Sequence, residues 1–304
     1  MRYAVENSLI VAMPHSNKVF NFGLPGRFRP DMVQDLSEAN MIPNVITMHM
    51  RFDRDALLEM FPRETTAFVT ILRNPVDLFR SLYDYYSLRR FYNNASLEEF
   101  VRNNTYVAAL EAQRFSYSLG FNQLAFDLGM DPSDFSHKNK MDDLIATISS
   151  TFDVVMIAER FVESLVLLAD KLCWPFTSVV ALRKNELSVR SFITDAVRAK
   201  LIELNMADSE LYRFFADRLE RELTVLGKAR VQQEASMVSL LTGSWYERCI
   251  EKTVEHRLIT HRLKSSMETD KTCHWLALSE MNFSREVRLL QTREARRITG
   301  YFYE

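Results

Sequence analysis

The stretch FVTILRNPVDLFRSLYDYY, residues 68–86, decides how the rest of the chain is read. Its first part, Phe68 to Leu72, is continuous in apolar and β-branched residues and too short for a helix, so it reads as a buried strand. Pro75 suits the first position of a helix, where a missing N–H costs nothing, and Asn74 is a good cap before it. Arg73 therefore closes a strand and precedes a helix. Free N–H groups and the positive end of the helix dipole gather at such a junction, which favours an anion there. An arginine simply exposed at a strand end would give the same string, so the segment alone leaves both uses open. Ser81 follows about two turns into the helix.

Working outward, four apolar runs read as strands: SLIVAM (8–13), NVITMHM (44–50), AFVTIL (67–72) and DVVMIAE (153–159). Helical patterns separate or follow them. Val76, Phe79, Tyr83 and Tyr86 share one face of the helix expected over 75–89. Ser96 and Glu99 stand at capping-box spacing in SLEEF. A helix over 160–172 carries Leu165, Leu168, Ala169 and Leu172 on one side, with Pro175 beyond it. Another runs from a cap at Asp208 to Gly227. Alternating strands and helices predict an α/β fold, with a mostly parallel central sheet flanked by helices. Beyond Gly227 the apolar period thins, no strand run is visible, and REARRITG (293–300) reads as a solvated helix. The expected division is a main domain over 1–230 and a helical extension over 231–304.

The 304 residues are 47% hydrophobic and 26% charged, enough for a sizeable core. Only 7 Gly and 8 Pro argue against a β-sandwich, a repeat array or a disordered chain. A net charge of −2 gives no global attraction for nucleic acid, so no such partner is expected. Cys173, Cys249 and Cys273 make neither a disulfide framework nor a metal-ligand spacing, and no metal is expected. Glycosylation triplets begin at Asn94, Asn103 and Asn282. Ligands of open parallel sheets bind outside the carboxyl ends of strands. Arg73 closes one expected strand there; His49, with Arg51 beside it, closes another.

HMRF (49–52), ILRNPVDLFRSLYDYY (71–86), FNQLAFDLG (121–129), FVESLVLLADKLCW (161–174) and NMADSELYRFF (205–215) occur in this order. The set resembles the galactose-3-O-sulfotransferase family, galactosylceramide sulfotransferase among its members, over roughly residues 1–230. Arg-x-Pro with a serine eight positions after the arginine is shared by many sulfotransferases; the other segments are more particular to this family. The resemblance implies a P-loop-like sulfotransferase fold and 3′-phosphoadenosine 5′-phosphosulfate (PAPS) as sulfate donor. The implied acceptor is the 3-hydroxyl of terminal galactose on a glycolipid or glycan, and the implied setting the lumenal side of the Golgi membrane, through an N-terminal anchor. By the same resemblance Arg73 and Ser81 bind the donor's 3′-phosphate and His49 acts in catalysis. Arg183, in VVALRKN (179–185), falls near where the family has a basic residue before an asparagine, which makes it a further candidate for donor binding. Arg51 would orient donor or acceptor, or make an ordinary salt bridge.

The chemistry implied suits these residue types. Arginine forms a forked, charge-assisted contact with phosphate. A sugar hydroxyl is a poor nucleophile at neutral pH, and a histidine titrating near 7 can take its proton. One family feature is missing from the string. The lysine-, serine- and threonine-rich turn that cradles the 5′-phosphosulfate is expected before the first strand, and no G-x-x-x-x-G-K-[ST] or equivalent occurs anywhere in the chain. The resemblance therefore implies an N-terminally incomplete sulfotransferase that lacks its first strand and phosphosulfate loop. The alternative is an inactive relative that binds a nucleotide or glycan, or serves as an interaction protein.

Overall fold

Arg63 and Asp153 set the register on which the sheet is built. The Asp153 carboxylate accepts from both terminal nitrogens of Arg63 (2.7 and 3.2 Å) and from the Phe68 N–H (2.8 Å). With Phe68 held beside residue 153, β1 (Val69–Leu72) pairs in parallel with β2 (Val154–Ile157), from Val69 opposite Val154 to Leu72 opposite Ile157. This is a computed structural model, and it describes residues 1–15, 20, 26–113, 119–184, 191–255 and 259–301.

Along the chain, α1 (Arg2–Glu6) and α2 (Arg54–Met60) precede β1, and α3 (Pro75–Tyr85) follows it. The crossing to β2 runs through α4 (Leu97–Arg102), α5 (Asn104–Gln113), α6 (Gln123–Asp127) and α7 (Lys138–Thr151). After β2 come α8 (Phe161–Lys171), α9 (Asp195–Leu204), α10 (Met206–Leu226) and α11 (Lys228–Cys249). A hairpin of β3 (Ile250–Glu255) and β4 (Ile259–Leu263) leads to α12 (Lys271–Ala277) and α13 (Glu280–Thr299). The architecture is mixed α/β, with a small parallel sheet and abundant helix around it.

Several expectations meet their physical reason here. Asn74 caps α3 through its Oδ1, Pro75 opens the helix, and Val76, Phe79 and Tyr83 form its buried face. Phe79 stacks on Phe121 with ring centroids 4.6 Å apart, which fixes α3 against the segment leading to α6. The Ser96–Glu99 capping box forms in full at the start of α4. The core around β2 takes in Leu219 and Leu223 of α10 and Val231 and Val238 of α11.

Four expectations are corrected. First, 8–13 and 44–50 are not strands of the sheet; a single parallel bridge, Val11 to Val45, joins them. Side chains take the bonds on either edge of 8–13: on the Val45 side Asn44 Oδ1 accepts from the Ile10 N–H (3.0 Å), and on the opposite edge, where a further strand would pair, Gln291 meets both backbone groups of Val11. Second, only β2 is buried along its whole length; Val69 and Ile71, on one face of β1, are exposed. Third, β3 and β4 form an antiparallel pair where no strand was expected. Their Glu, Lys and Arg residues hide the alternation that one buried face requires. Fourth, Cys249 and Cys273 are joined in a disulfide, both fully buried, across a sequence separation of 24. Closing a loop of that length restricts the unfolded chain by roughly 3–4 kcal/mol in the loop-entropy account.

The C-terminal helix is docked, not solvated all round. The Gln291 side chain accepts from the Val11 N–H (2.8 Å) and donates to the Val11 carbonyl (2.9 Å). Phe283 and Val287 pack with Ala4, Val11, Met13 and Trp275, and Ala295 is buried against Leu36, Ala39 and Met41. The REARRITG end therefore contributes one buried face. Among the described residues no helix is long and apolar enough to cross a membrane.

Candidate active site

The carboxyl ends of β1 and β2 meet as the sheet order requires. Arg73 follows β1 and is half-buried. From the end of β2, Glu159 accepts from the Asn74 N–H (2.9 Å) and from the Tyr212 hydroxyl (3.0 Å). Burial and this bond push the Tyr212 phenol up to about 12, so it stays a donor throughout the physiological range. The first N–H groups of α3 are therefore not open to an anion. Asn74 gives its own to Glu159, Val76 and Asp77 give theirs to Asn74 Oδ1, and Pro75 has none. Any anion at this junction must be held by side chains. Arg73 and Ser81 are the candidates; Ser81 is half-buried on α3.

His49 does not end a strand, so it and Arg73 do not share a sheet edge. Its exposed ring lies with Nε2 3.1 Å from Glu280 Oε1, at the start of α13. The Glu280 hydrogen bond, with lesser help from the Glu280 and Asp127 charges, holds the His49 pKa above its ordinary value against the opposing effect of burial. Glu280 is held correspondingly below the usual carboxylate range, chiefly by the same bond. Tyr86, which ends α3, feels both Asp127 and Glu280, though burial is the first cause of its raised pKa. His49 and Tyr86, which follows the end of α3 away from Arg73, thus feel the same two carboxylates, and the 11-residue helix is about 16 Å long.

Arg51 is buried, and its guanidinium is engaged inside the protein. It donates to the carbonyls of Phe126 (3.0 Å) and Met130 (2.8 Å) and to Asp131 Oδ1 (2.6 Å), and lies 4.1 Å over the Phe126 ring. Of the two uses open in the sequence, the salt bridge is the one whose atoms are in place. The neighbouring Phe52 N–H donates to the Asp127 carbonyl (2.7 Å). A Cβ at Gly129, where φ is +97°, would stand 2.7 Å from the Phe52 carbonyl oxygen, so this close approach requires glycine.

Asp208 corrects another expectation. It lies inside the first turn of α10 and caps a different helix, its carboxylate accepting from the N–H groups of Leu124 (2.9 Å) and Ala125 (2.8 Å) at the start of α6. Asn205 Oδ1 accepts from the Asn122 N–H (2.9 Å) beside it. HMRF, FNQLAFDLG and NMADSELYRFF are thus one interlocked unit: the first holds the end of the second through Arg51, and the third holds its beginning through Asp208. Their joint occurrence has a structural cause, and the unit braces the backbone that leads from His49.

Arg183 is exposed and belongs with the hairpin, its carbonyl accepting from His261 Nε2 (2.6 Å). The adjacent Lys184 is pushed down to about 8 by burial and donates to the Leu278 carbonyl (2.7 Å). Asn94 and Asn282 are exposed, whereas Asn103 spends its side chain on the Thr105 and Tyr106 N–H groups. The residues that sequence reasoning missed are Glu159 and Glu280. Glu159 was legible as the acidic end of DVVMIAE, a strand end next to Arg73; Glu280 carries no local signal.

The galactose-3-O-sulfotransferase family model matches residues 1–268. Galactose-3-O-sulfotransferase 3 of Bos taurus is 35% identical over 249 residues, covering 77% of this chain and 56% of the relative. The Homo sapiens protein of the same name is also 35% identical, with 77% and 55% covered. Galactosylceramide sulfotransferase of Homo sapiens is 29% identical, with 77% and 56% covered. The chain spans about half the length of these curated relatives. No solved structure gives a significant match. With the interlocked segments and the Arg73–Ser81 helix all inside the matched region, the chain belongs to the galactose-3-O-sulfotransferase family.

Proposed function

We propose that this protein takes part in PAPS-dependent sulfation of the 3-hydroxyl of terminal galactose, on a galactosylceramide-type glycolipid or a glycan. The observation that carries the reading is the family match over 1–268, with Arg73 at the β1–α3 junction and Ser81 on the helix it opens. In this reading β1, α3 and β2 form the 3′-phosphate side of a P-loop-like sulfotransferase layer. Arg73 supplies a forked cation for the 3′-phosphate and Ser81 a hydroxyl. His49 takes the proton of the galactose hydroxyl as its oxygen bonds to sulfur, and the bond from sulfur to the 5′-phosphate oxygen breaks with its electrons leaving on that oxygen. The donor carries its two anionic groups on opposite sides of one ribose, so residues that recognise one need not touch the other. A Golgi lumenal setting fits the buried Cys249–Cys273 disulfide, which persists in an oxidising compartment, and the exposed acceptor asparagines.

Two measurements test this. Radiolabelled sulfate transfer from PAPS to galactosylceramide and to a galactose-terminated glycan tests the reaction and separates the two acceptors. No G-x-x-x-x-G-K-[ST] turn occurs within residues 1–304, so the assay is run on the chain and on the chain joined to a family-type donor loop. Binding tests the donor site: Arg73→Ala is expected to weaken adenosine 3′,5′-bisphosphate by on the order of 1.5–3 kcal/mol while leaving adenosine 5′-phosphate nearly unaffected. Equal losses for both nucleotides would remove Arg73 from the 3′-phosphate. Intact bisphosphate binding without transfer in either preparation would favour the second reading, a nucleotide- or glycan-binding relative.

A further inference from the structure

We propose that Glu280 is the positioning residue of His49, fixing its neutral ring with the proton on Nε2 and leaving Nδ1 as the basic nitrogen. The inference rests on the reading of His49 as the general base, and it places a required group beyond residue 268, where the match to the family model stops. A carboxylate only accepts hydrogen bonds, so across the 3.1 Å contact Nε2 must carry the proton whenever the ring is neutral. The lone pair then lies on Nδ1, on the other side of the ring from Glu280. When Nδ1 takes the hydroxyl proton, the resulting imidazolium is already beside its counter-charge.

The pairing is held from both sides. Ser279 caps α13 by accepting from the Asn282 N–H (3.4 Å), which places Glu280 in the first turn. Ser284, one turn on, bonds back to the Glu280 carbonyl (2.9 Å) and contacts Met48 Sδ (3.3 Å), next to His49 in the chain and buried. The Gln291–Val11 bonds and the Trp275–Phe283 ring contact anchor the rest of the helix. The charged and titratable groups facing the ring are therefore Glu280 from α13 and Asp127 from the end of α6, with Tyr86 beside both carboxylates.

The pH dependence follows in sign. His49 is raised, so its share of the link is complete below about 6.5, the ordinary histidine value, and is lost as pH rises through the raised pKa. Glu280 is depressed, so its share is lost as pH falls through that lowered value. With side chains 71% and 40% exposed, the pair adds little to stability, and its consequence is kinetic.

The test is NMR titration of ring-labelled histidine, which reads both midpoint and tautomer, on the chain and on Glu280→Gln and Glu280→Asp. Glu280→Gln is expected to lower the His49 midpoint and mix its tautomers, with Glu280→Asp partly restoring both. In the preparation that transfers sulfate, Glu280→Gln should lower turnover by about 10–100-fold, the range for carboxylates that orient a metal-bound histidine. The rising limb of its pH profile should move to lower pH, with the donor KM unchanged. An unchanged midpoint and tautomer in Glu280→Gln would overturn the proposal. A shifted midpoint together with full turnover in His49→Ala would instead overturn the general-base reading and leave the pairing intact.

Discussion

Replacing His49 with alanine is expected to lower turnover by roughly 10²–10⁴-fold, the usual contribution of a general base, in a preparation that transfers sulfate. Affinity for adenosine 3′,5′-bisphosphate should stay nearly unchanged, because that product carries no group the ring would deprotonate. The wild-type rate should climb with pH through the His49 titration, which is raised from the ordinary histidine value chiefly by the Glu280 hydrogen bond. In His49→Ala that limb should vanish and the residual rate should follow hydroxide or added imidazole. A variant with full turnover and an unchanged pH profile would reduce His49 to a surface residue that pins α13. Electrostatic stabilisation of the leaving phosphate is commonly the largest catalytic contribution, so removing the base alone should not bring the rate to the uncatalysed level.

The largest loss of stability is expected at Asp208. Its carboxylate is buried and takes two backbone N–H groups at the start of α6. Asp208→Ala removes two charge-assisted bonds and strands two buried donors, a cost on the order of 3–5 kcal/mol. That is a large part of the 5–15 kcal/mol typical of a folded domain. Asp208→Asn keeps one acceptor oxygen and turns an amide NH₂ toward the second donor, so it should recover only part of the loss. Urea unfolding followed by circular dichroism reads this as a fall in midpoint at constant slope. A midpoint shift worth less than 1 kcal/mol in Asp208→Ala would mean that the start of α6 is held by Asn205 and packing alone.

The parts of this fold that the sequence made legible are those governed by neighbours in the chain. β1, the Asn74–Pro75 start of α3, its Val76–Phe79–Tyr83 face and the Ser96–Glu99 box all follow from residues a few positions apart. What was misread depends on distant partners. Apolar continuity in 8–13 and 44–50 does not say which group will take each backbone bond, and here Asn44 and Gln291 take them. Asp208 has the right spacing to cap its own helix, but α10 begins two residues earlier and the freed carboxylate serves α6. Cysteine spacing cannot report that the end of α11 and the start of α12 lie side by side. The site divides in the same way. Arg73 was legible from its strand and helix, Glu280 only from a fold that returns the last helix to the first 50 residues.

The Gln291 clasp on Val11 has a colloidal side. A carboxamide presents a C=O and an N–H side by side, as a peptide group does, so one side chain fills the place of an absent neighbouring strand. The outer rim of the 8–13 segment, bonded on its inner side to Val45, would otherwise offer its donor and acceptor to another molecule. The last helix thereby acts as a stopper against edge-to-edge polymerisation, and trimming it would expose a sticky rim at the opposite end of the chain from the cut.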